Sequence, residues 1–198
     1  MKLYIIPGAC SLAVNIALRE AAVPFDLARV DWETGKADDG IDFRKMNPKG
    51  YVPALLLDDG QVLTENVTVL QYVADRNPAT KLAPPAGTMA RYRLMEWLSF
   101  INSEIHKGFS PLFSSQATDE IKQYARNGLM KRLDYLQGTI GDEYLLGDQF
   151  TVADAYLFTV VGWSGEVGVD MARWPKLQLH HTKVSKRPQV IAALASET

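Results

Sequence analysis

Pro7-Gly8-Ala9-Cys10-Ser11 is the stretch from which the fold is predicted. It contains the single cysteine of the chain and separates a short apolar run, residues 3–6, from a longer one, residues 10–22. The short run is typical of a β-strand, and the long run indicates a helix that is buried nearly all round. Proline and glycine between them allow a tight reversal of the chain.

Cys10 stands at the start of this predicted helix. The first backbone N–H groups of a helix have no intrahelical partner, and together with the helix dipole they place about half a positive charge there. A thiolate is stabilised in such a field, which would make Cys10 reactive. An inert buried cysteine explains this stretch equally well.

Composition is that of a globular protein with a substantial core. The chain has 198 residues, of which 47% are hydrophobic and 22% charged. A net charge of −2 without a basic block argues against nucleic acid and membrane surfaces as partners. One cysteine excludes an intramolecular disulfide and a cysteine-built zinc site. We expect a cytoplasmic protein without signal peptide, membrane span or metal.

The first part of the chain predicts a small α/β unit. A second strand is expected over residues 25–30, followed by a polar loop over 31–50 that contains one short helix. Apolar runs on either side of Asp58-Asp59-Gly60 indicate a β-hairpin. Thr64 is a candidate cap for a helix that ends at Asn77-Pro78.

The second part predicts only helices. A linker rich in proline over residues 77–87 marks a domain boundary. Apolar residues at three- and four-residue steps then predict one long helix over 94–112, bent near Pro111, and another over 121–136.

Three further helices have clear start signals. Thr151 followed by Asp154 is typical of a capping box, and the nearly apolar run 155–161 indicates a core helix. Pro175 and Pro188 are expected at the starts of the last two helices.

Several motifs together resemble bacterial glutathione transferases of the cysteine-containing beta class. They are Cys10-Ser11, Asn47-Pro48-Lys49-Gly50-Tyr51-Val52-Pro53-Ala54-Leu55, Leu63-Thr64-Glu65-Asn66, His106-Lys107-Gly108-Phe109 and Phe150-Thr151-Val152-Ala153-Asp154-Ala155-Tyr156. The resemblance covers essentially the whole chain. It implies a thioredoxin-like, glutathione-binding domain with a mixed sheet over residues 1–80. It also implies an all-helical domain with the electrophile site over 87–198, and a homodimer.

The resemblance implies a set of site residues as well. Cys10 and His106 are the expected catalytic residues, with His106 as hydrogen-bond partner or proton handler of the sulfur. Glutathione is the expected co-substrate, without a metal. Its expected binding residues are Cys10, Lys36, Val52, Pro53, Glu65, Asn66, Ser99, Ser103, Glu104 and His106, with Val52 before a cis proline and Glu104 reaching across the dimer.

Glutathione chemistry fits the helix start at Glu65-Asn66. Free N–H groups there suit the γ-glutamyl carboxylate, and the Glu65 carboxylate suits the ammonium. The peptide portion suits an exposed strand edge. Without the resemblance, a surface charge matched to the helix dipole would explain Glu65.

The sequence departs from the family pattern at two places. Where the family often has a loop lysine for the glycyl carboxylate, this chain has Gly35, with Lys36 beside it as a possible substitute. Asn66 stands where serine or glycine is frequent, so affinity for glutathione could differ.

Other polar residues have simpler explanations. Ser99, Asn102, Ser103 and His106 share one stripe of a helix, and a solvated face explains Ser99 and Asn102. Tyr4, a rival for thiol activation, lies inside the first strand and is interpreted as structural. His180 and His181 are expected at the surface.

Three functions remain open at this stage. The first is conjugation of glutathione to small hydrophobic electrophiles, a detoxification reaction, with Phe109, Phe113 and Trp163 either lining the electrophile pocket or belonging to the core. The second is glutathione-dependent disulfide chemistry at Cys10, in which a second glutathione resolves a mixed disulfide. The third is a non-catalytic ligand-binding protein on the same fold. Cys10, Glu65 and His106 together argue against the third.

Overall fold

The structure, a computed structural model, describes residues 1–198, which divide into two compact units. Residues 1–83 and 187–198 form the first unit, and residues 84–186 form the second. The C-terminal helix, which the sequence prediction placed in the second domain, thus groups with the first unit. No helix is long and apolar enough to cross a membrane.

The first unit contains a four-stranded mixed sheet. Its strands lie in the order β2-β1-β3-β4 and span Lys2–Ile5 (β1), Asp26–Arg29 (β2), Ala54–Leu56 (β3) and Val62–Thr64 (β4). β1 runs parallel to β2 and antiparallel to β3, and β3 pairs antiparallel with β4 as the predicted hairpin. β3 begins only after Pro53, which has no N–H for the ladder.

Four helices complete this unit. They are α1 (Ser11–Glu20), α2 (Phe43–Met46), α3 (Asn66–Arg76) and α9 (Pro188–Ser196). Every residue from 11 to 18 of α1 is buried, and α1 packs against α3 and α9. The prediction of a helix buried nearly all round is therefore confirmed.

A buried carboxylate joins the C-terminal segment to the turn before α1. Glu197, which is 8% exposed, accepts hydrogen bonds from the Gly8 backbone N–H at 3.1 Å and from Asn15 Nδ2 at 3.0 Å. Burial raises the pKa of this carboxyl, while the hydrogen bonds from Asn15 and Gly8 act in the opposite direction. The turn that carries Cys10 is thus held from the C-terminal end of the chain.

The second unit is helical. Its helices are α4 (Met89–Phe100), α5 (Lys107–Phe113), α6 (Asp119–Thr139), α7 (Val152–Gly162) and α8 (Pro175–Ser185). A π-helical segment, Ile101–His106, connects α4 to α5, so the predicted long helix is continuous but carries a wider turn at its centre. Such turns are rare in helices and often occur at functional sites.

The core helix α7 begins with the predicted capping box, which is confirmed. Asp154 Oδ2 accepts from the backbone N–H and the hydroxyl of Thr151 at 2.9 and 2.8 Å. Asp154 Oδ1 accepts from Leu145 N at 2.8 Å and from His180 Nε2 at 3.0 Å. His180 is only 4% exposed, so its predicted surface position is wrong: the fully buried carboxylate of Asp154 requires such partners.

Asp154→Ala is expected to destabilise the second unit strongly. The substitution leaves several buried donors without an acceptor, and breaking such a network costs about 3–5 kcal/mol. Urea unfolding followed by circular dichroism measures the loss. Asp170→Ala is the control, because Asp170 caps a single exposed helical turn, and removing an exposed cap costs about 1 kcal/mol. Equal losses in the two variants would contradict this role of Asp154.

Candidate active site

The Cys10 thiol lies at the N-terminal end of α1 and is 9% exposed. It donates a hydrogen bond to the backbone carbonyl of Val52 at 3.3 Å. The Val52–Pro53 peptide bond is cis, as the resemblance implies, and both residues are buried. Three of the predicted site residues therefore come together in the first unit.

Asn66 joins the same group from the start of α3. Its side-chain Nδ2 donates to the Cys10 carbonyl at 3.2 Å, whereas its Oδ1 is buried without a hydrogen-bond partner. Asn66 thus supports the backbone of Cys10 and presents one unused acceptor. A buried acceptor of this kind is costly in free energy, which makes it a candidate contact for a ligand donor.

Glu65 occupies the cap position of α3, with a φ of 70° in the left-handed region. The expectation that Thr64 caps this helix is wrong, since Thr64 is the last residue of β4. The left-handed conformation at Glu65 turns the chain from strand to helix within one residue. Strain of this type in a residue other than glycine is typical of functional sites.

Two residues orient the Glu65 carboxylate. Lys49 forms an ion pair with it, and the Tyr51 hydroxyl donates to the same oxygen, Oε1, at 2.8 Å. The hydrogen bond to Glu65 raises the pKa of Lys49 and that of Tyr51. Both residues belong to the motif that carries the family resemblance, but sequence reasoning assigned neither of them a role.

The loop around Lys36 contains an arginine that the sequence analysis missed. Lys36 is exposed, and its backbone pairs with that of Asp42. Gly35 has a φ of +68°, and a Cβ atom there would lie 2.6 Å from Arg44 Nε. A lysine at position 35 would therefore collide with Arg44, which is anchored through Nη2 to the carbonyl of Trp32 at 3.0 Å.

Tyr4 has the structural role that was predicted. It is fully buried in β1, and its hydroxyl donates to Asp39 Oδ2 at 3.0 Å. Burial and this hydrogen bond raise its pKa, so Tyr4 is not a source of phenolate.

His106 ends the π-helical segment in the second unit and is partly buried. Its Nδ1 lies 2.7 Å from the hydroxyl oxygen of Tyr156, and that hydroxyl donates to Asn102 Oδ1 at 3.0 Å. Asn102, which was explained as part of a solvated face, therefore belongs to a hydrogen-bond network with His106. Tyr156, fully buried on α7, lies in a quoted motif but received no site role from the sequence.

Burial lowers the pKa of His106 to about 4, and the positive charge of Lys107 acts in the same direction. The imidazole is therefore neutral at pH 7, with one ring nitrogen carrying a proton and the other a lone pair.

The remaining predicted residues of this unit lie outside the His106 network. Ser99 and Ser103 are exposed, and no hydrogen bond joins either of them to His106. Glu104 forms an ion pair with Arg132 Nε at 2.6 Å. These three side chains therefore remain predictions from the resemblance alone.

An aromatic cluster adjoins His106. Trp163 lies with its ring centre 5.1 Å from that of His106, 5.7 Å from Phe109 and 5.9 Å from Phe113. Phe109 is fully buried, whereas Phe113 is 48% exposed. The three aromatic residues considered for the electrophile pocket thus come together, and Phe109 packs inside the cluster. The chain contains no group of three or more His, Cys, Asp or Glu side chains that could hold a metal ion.

Comparison with known families agrees with this geometry. Residues 8–76 match the family described as "Glutathione S-transferase, N-terminal domain", and residues 100–188 match "Glutathione S-transferase, C-terminal domain". The chain is 43% identical to glutathione S-transferase GstA of Escherichia coli O157:H7, over 100% of this chain and 98% of that protein.

Solved structures give the same result. A ternary complex of BphK, a bacterial glutathione transferase, has a TM-score of 0.98 at 49% identity, over 100% of this chain and 99% of that chain. A beta-class enzyme of Sphingomonas chungbukensis has a TM-score of 0.95 at 47% identity, over 100% and 98% of the two chains. The chain belongs to the glutathione S-transferase family, and within it to the bacterial beta class. It is a transferase whose co-substrate is glutathione.

His106 is expected to titrate near pH 4, well below the usual 6.5, because its partly buried ring disfavours the charged form. NMR titration of the imidazole carbon-bound protons measures this, with His106→Gln to assign the signal. The unfolded chain takes up the same proton near pH 6.5, so this group favours folding above that pH. The contribution of His106 to the free energy of unfolding is lost as the pH falls from 6.5 towards 4, because the unfolded chain binds the proton first. A midpoint at or above 6 would refute this description of the site.

Proposed function

We propose that this transferase conjugates glutathione to small hydrophobic electrophiles and also exchanges disulfides with glutathione through Cys10. The observation that carries the proposal is the placement of the Cys10 thiol at the start of buried α1, in hydrogen-bond contact with the carbonyl of Val52. The field at a helix start favours the thiolate form of a sulfur, which is the reactive form of Cys10 in disulfide exchange and of glutathione in conjugation.

For the first domain, we propose that glutathione pairs its peptide backbone with Val52, next to Pro53, and places its sulfur near Cys10. Its γ-glutamyl end binds at the start of α3, where the Glu65 carboxylate pairs with the ammonium and the Asn66 side-chain amide contacts the same end of glutathione. Lys36 remains the candidate for the glycyl carboxylate.

For the second domain, we propose that His106 meets the sulfur of glutathione and that the aromatic cluster receives the electrophile. Ser99 and Ser103 are the further proposed contacts. The boundaries proposed from the resemblance are residues 1–80 for the glutathione domain and 87–198 for the electrophile domain, although α9 packs against α1 in the first compact unit.

We also propose that the protein is a homodimer, in which Glu104 reaches the glutathione of the partner subunit. A sedimentation mass determined at micromolar concentration distinguishes the dimer from the monomer. Cytoplasmic detoxification is the proposed setting, since a lone thiol suits a reducing compartment.

Glu65→Gln is expected to weaken glutathione binding at least tenfold. The amide keeps the shape of the side chain and can still accept from Tyr51, but it loses the charge that the ammonium requires. Hydrogen bonds to charged groups are worth about 1.5–3 kcal/mol. Titration calorimetry measures the affinity, with Glu96→Gln as control because Glu96 pairs with exposed Arg93 on α4. Unchanged affinity in Glu65→Gln would place the ammonium elsewhere.

The disulfide reaction requires the sulfur of Cys10 itself. The Cys10 thiolate attacks glutathione disulfide, the S–S bond breaks, and one glutathione leaves as thiolate. A second glutathione thiolate then attacks the mixed disulfide and releases Cys10. Conjugation needs only activation of the thiol of glutathione, which the helix start and His106 supply without a covalent intermediate.

Cys10→Ser is therefore expected to abolish glutathione-dependent disulfide reduction. It is expected to lower conjugation by less than about tenfold, since one hydrogen bond to the substrate sulfur is worth about 0.5–1.5 kcal/mol. The matched control is Ser11→Cys in the Cys10→Ser background, which returns a thiol one residue away but not its position. Mass spectrometry of the wild type after treatment with glutathione disulfide is expected to show one adduct, on Cys10. Full reductase activity in Cys10→Ser, or no adduct on the wild type, would leave Cys10 as a simple pocket residue.

A further inference from the structure

We infer that Tyr156, held by Asn102, is a positioning residue that keeps the proton of His106 on Nδ1 and leaves Nε2 as the proton acceptor for the thiol of glutathione. The inference rests on the proposed role of His106 and adds the group that orients it. It concerns hydrogen bonds within the second unit.

A tyrosine hydroxyl has one proton to donate, and the Tyr156 hydroxyl donates it to Asn102 Oδ1 at 3.0 Å. An amide oxygen has no proton of its own, so this bond can run in one direction only. The 2.7 Å contact between His106 Nδ1 and the Tyr156 oxygen then needs its proton from the imidazole. His106 must therefore carry a proton on Nδ1.

The ring has no second proton to place on Nε2 while it is neutral. Burial of His106, together with the charge on Lys107, keeps the imidazole neutral at pH 7. Nε2 then presents a lone pair. Of the two possible tautomers, this is the one that can take a proton from a thiol.

The geometry follows the general logic of an activated nucleophile, in which a base is oriented by a third group. The S–H bond of glutathione breaks, its proton passes to Nε2, and the electron pair stays on sulfur. The imidazolium so formed keeps its Nδ1–H bond to Tyr156 and is stabilised by the adjacent thiolate. After the carbon–sulfur bond forms, Nε2 returns the proton to the product or to solvent.

Packing explains why the tautomer is held firmly. Tyr156 is fully buried on α7, all of whose residues from 152 to 161 are buried, so its hydroxyl cannot rotate into water. The ring of Trp163 lies 5.1 Å from His106 and limits reorientation of the imidazole. The π-helical turn places Asn102 and His106, which are both in it, on the same hydroxyl.

Long-range proton–nitrogen NMR on the full-length protein at pH 7 reports the protonated ring nitrogen directly. The wild type is expected to show His106 protonated at Nδ1. In Asn102→Leu, the Tyr156 hydroxyl loses its acceptor and turns to Nδ1, so the proton of His106 is expected to move to Nε2. In Tyr156→Phe neither preference remains, and a mixture of the tautomers is expected.

Kinetics test the consequence. Tyr156→Phe is expected to lower kcat for conjugation about tenfold and to change KM for glutathione less than twofold. The loss is smaller than the roughly 10²–10⁴-fold that a general base contributes, because His106 itself stays in place. Thr159→Val is the matched control: it removes a buried hydroxyl from the same helix, one that donates to the Ala155 carbonyl at 2.9 Å. It should leave the His106 tautomer and kcat unchanged.

A wild-type His106 protonated at Nε2, or an Asn102→Leu tautomer that equals that of the wild type, overturns the inference. Loss of kcat in Thr159→Val equal to that in Tyr156→Phe overturns it too, since disturbed packing of α7 would then explain both. His106→Ala separates this inference from the proposed function. Full conjugation activity in that variant would refute the role of His106 even where the tautomer is as inferred.

Discussion

Burial of helix α1 is the constraint on which the first unit depends. Residues 11–18 are all buried, and each fully buried Leu, Ile or Val contributes roughly 1.5–3 kcal/mol. Both polar residues in this stretch have partners: Ser11 Oγ donates to the Ile6 carbonyl at 3.3 Å, and Asn15 Nδ2 donates to Glu197 at 3.0 Å and to Ser196 at 3.1 Å. Glu197 also accepts from Gly8, so the segment after α9 holds both the helix and the turn before it. This packing holds the turn in place and with it the Cys10 thiol.

Around that fixed turn, the site is built from backbone groups and short side chains. The Val52 carbonyl receives the thiol, and Asn66 supports the Cys10 carbonyl from the start of α3. The Glu65 carboxylate is oriented by Lys49 and Tyr51. In the second unit the ring of His106 is likewise positioned by few groups, namely one tyrosine hydroxyl and the packed residues of α7. Helices thus position Asn66 and His106, whereas the loop between α2 and β3 supplies Lys49, Tyr51 and Val52.

Predictions from the sequence were reliable where the structure depends on residues that are close together in the chain. The capping box of Thr151 and Asp154, the prolines that open α8 and α9, and the hairpin at Asp58-Asp59-Gly60 are all as predicted. They succeed because caps and turns involve residues within a few positions of one another. The prediction that Thr64 caps α3 was wrong for the opposite reason. The residue at the cap position is Glu65, which adopts a left-handed conformation and is held by residues from another part of the chain.

The sequence by itself determined the strand–turn–helix start with its lone thiol, the hairpin, the helical second part and the family motifs. Each of these follows from apolar periodicity, turn chemistry or residues at fixed spacing. Only the tertiary structure decided which distant groups meet: Glu197 with Gly8, Arg44 with the backbone beside Gly35, His180 with Asp154, and Tyr156 with His106. The physical reason is that a hydrogen bond between residues in different elements of the chain leaves no periodic trace in the sequence. Its energy depends on burial, and burial exists only once the helices have packed.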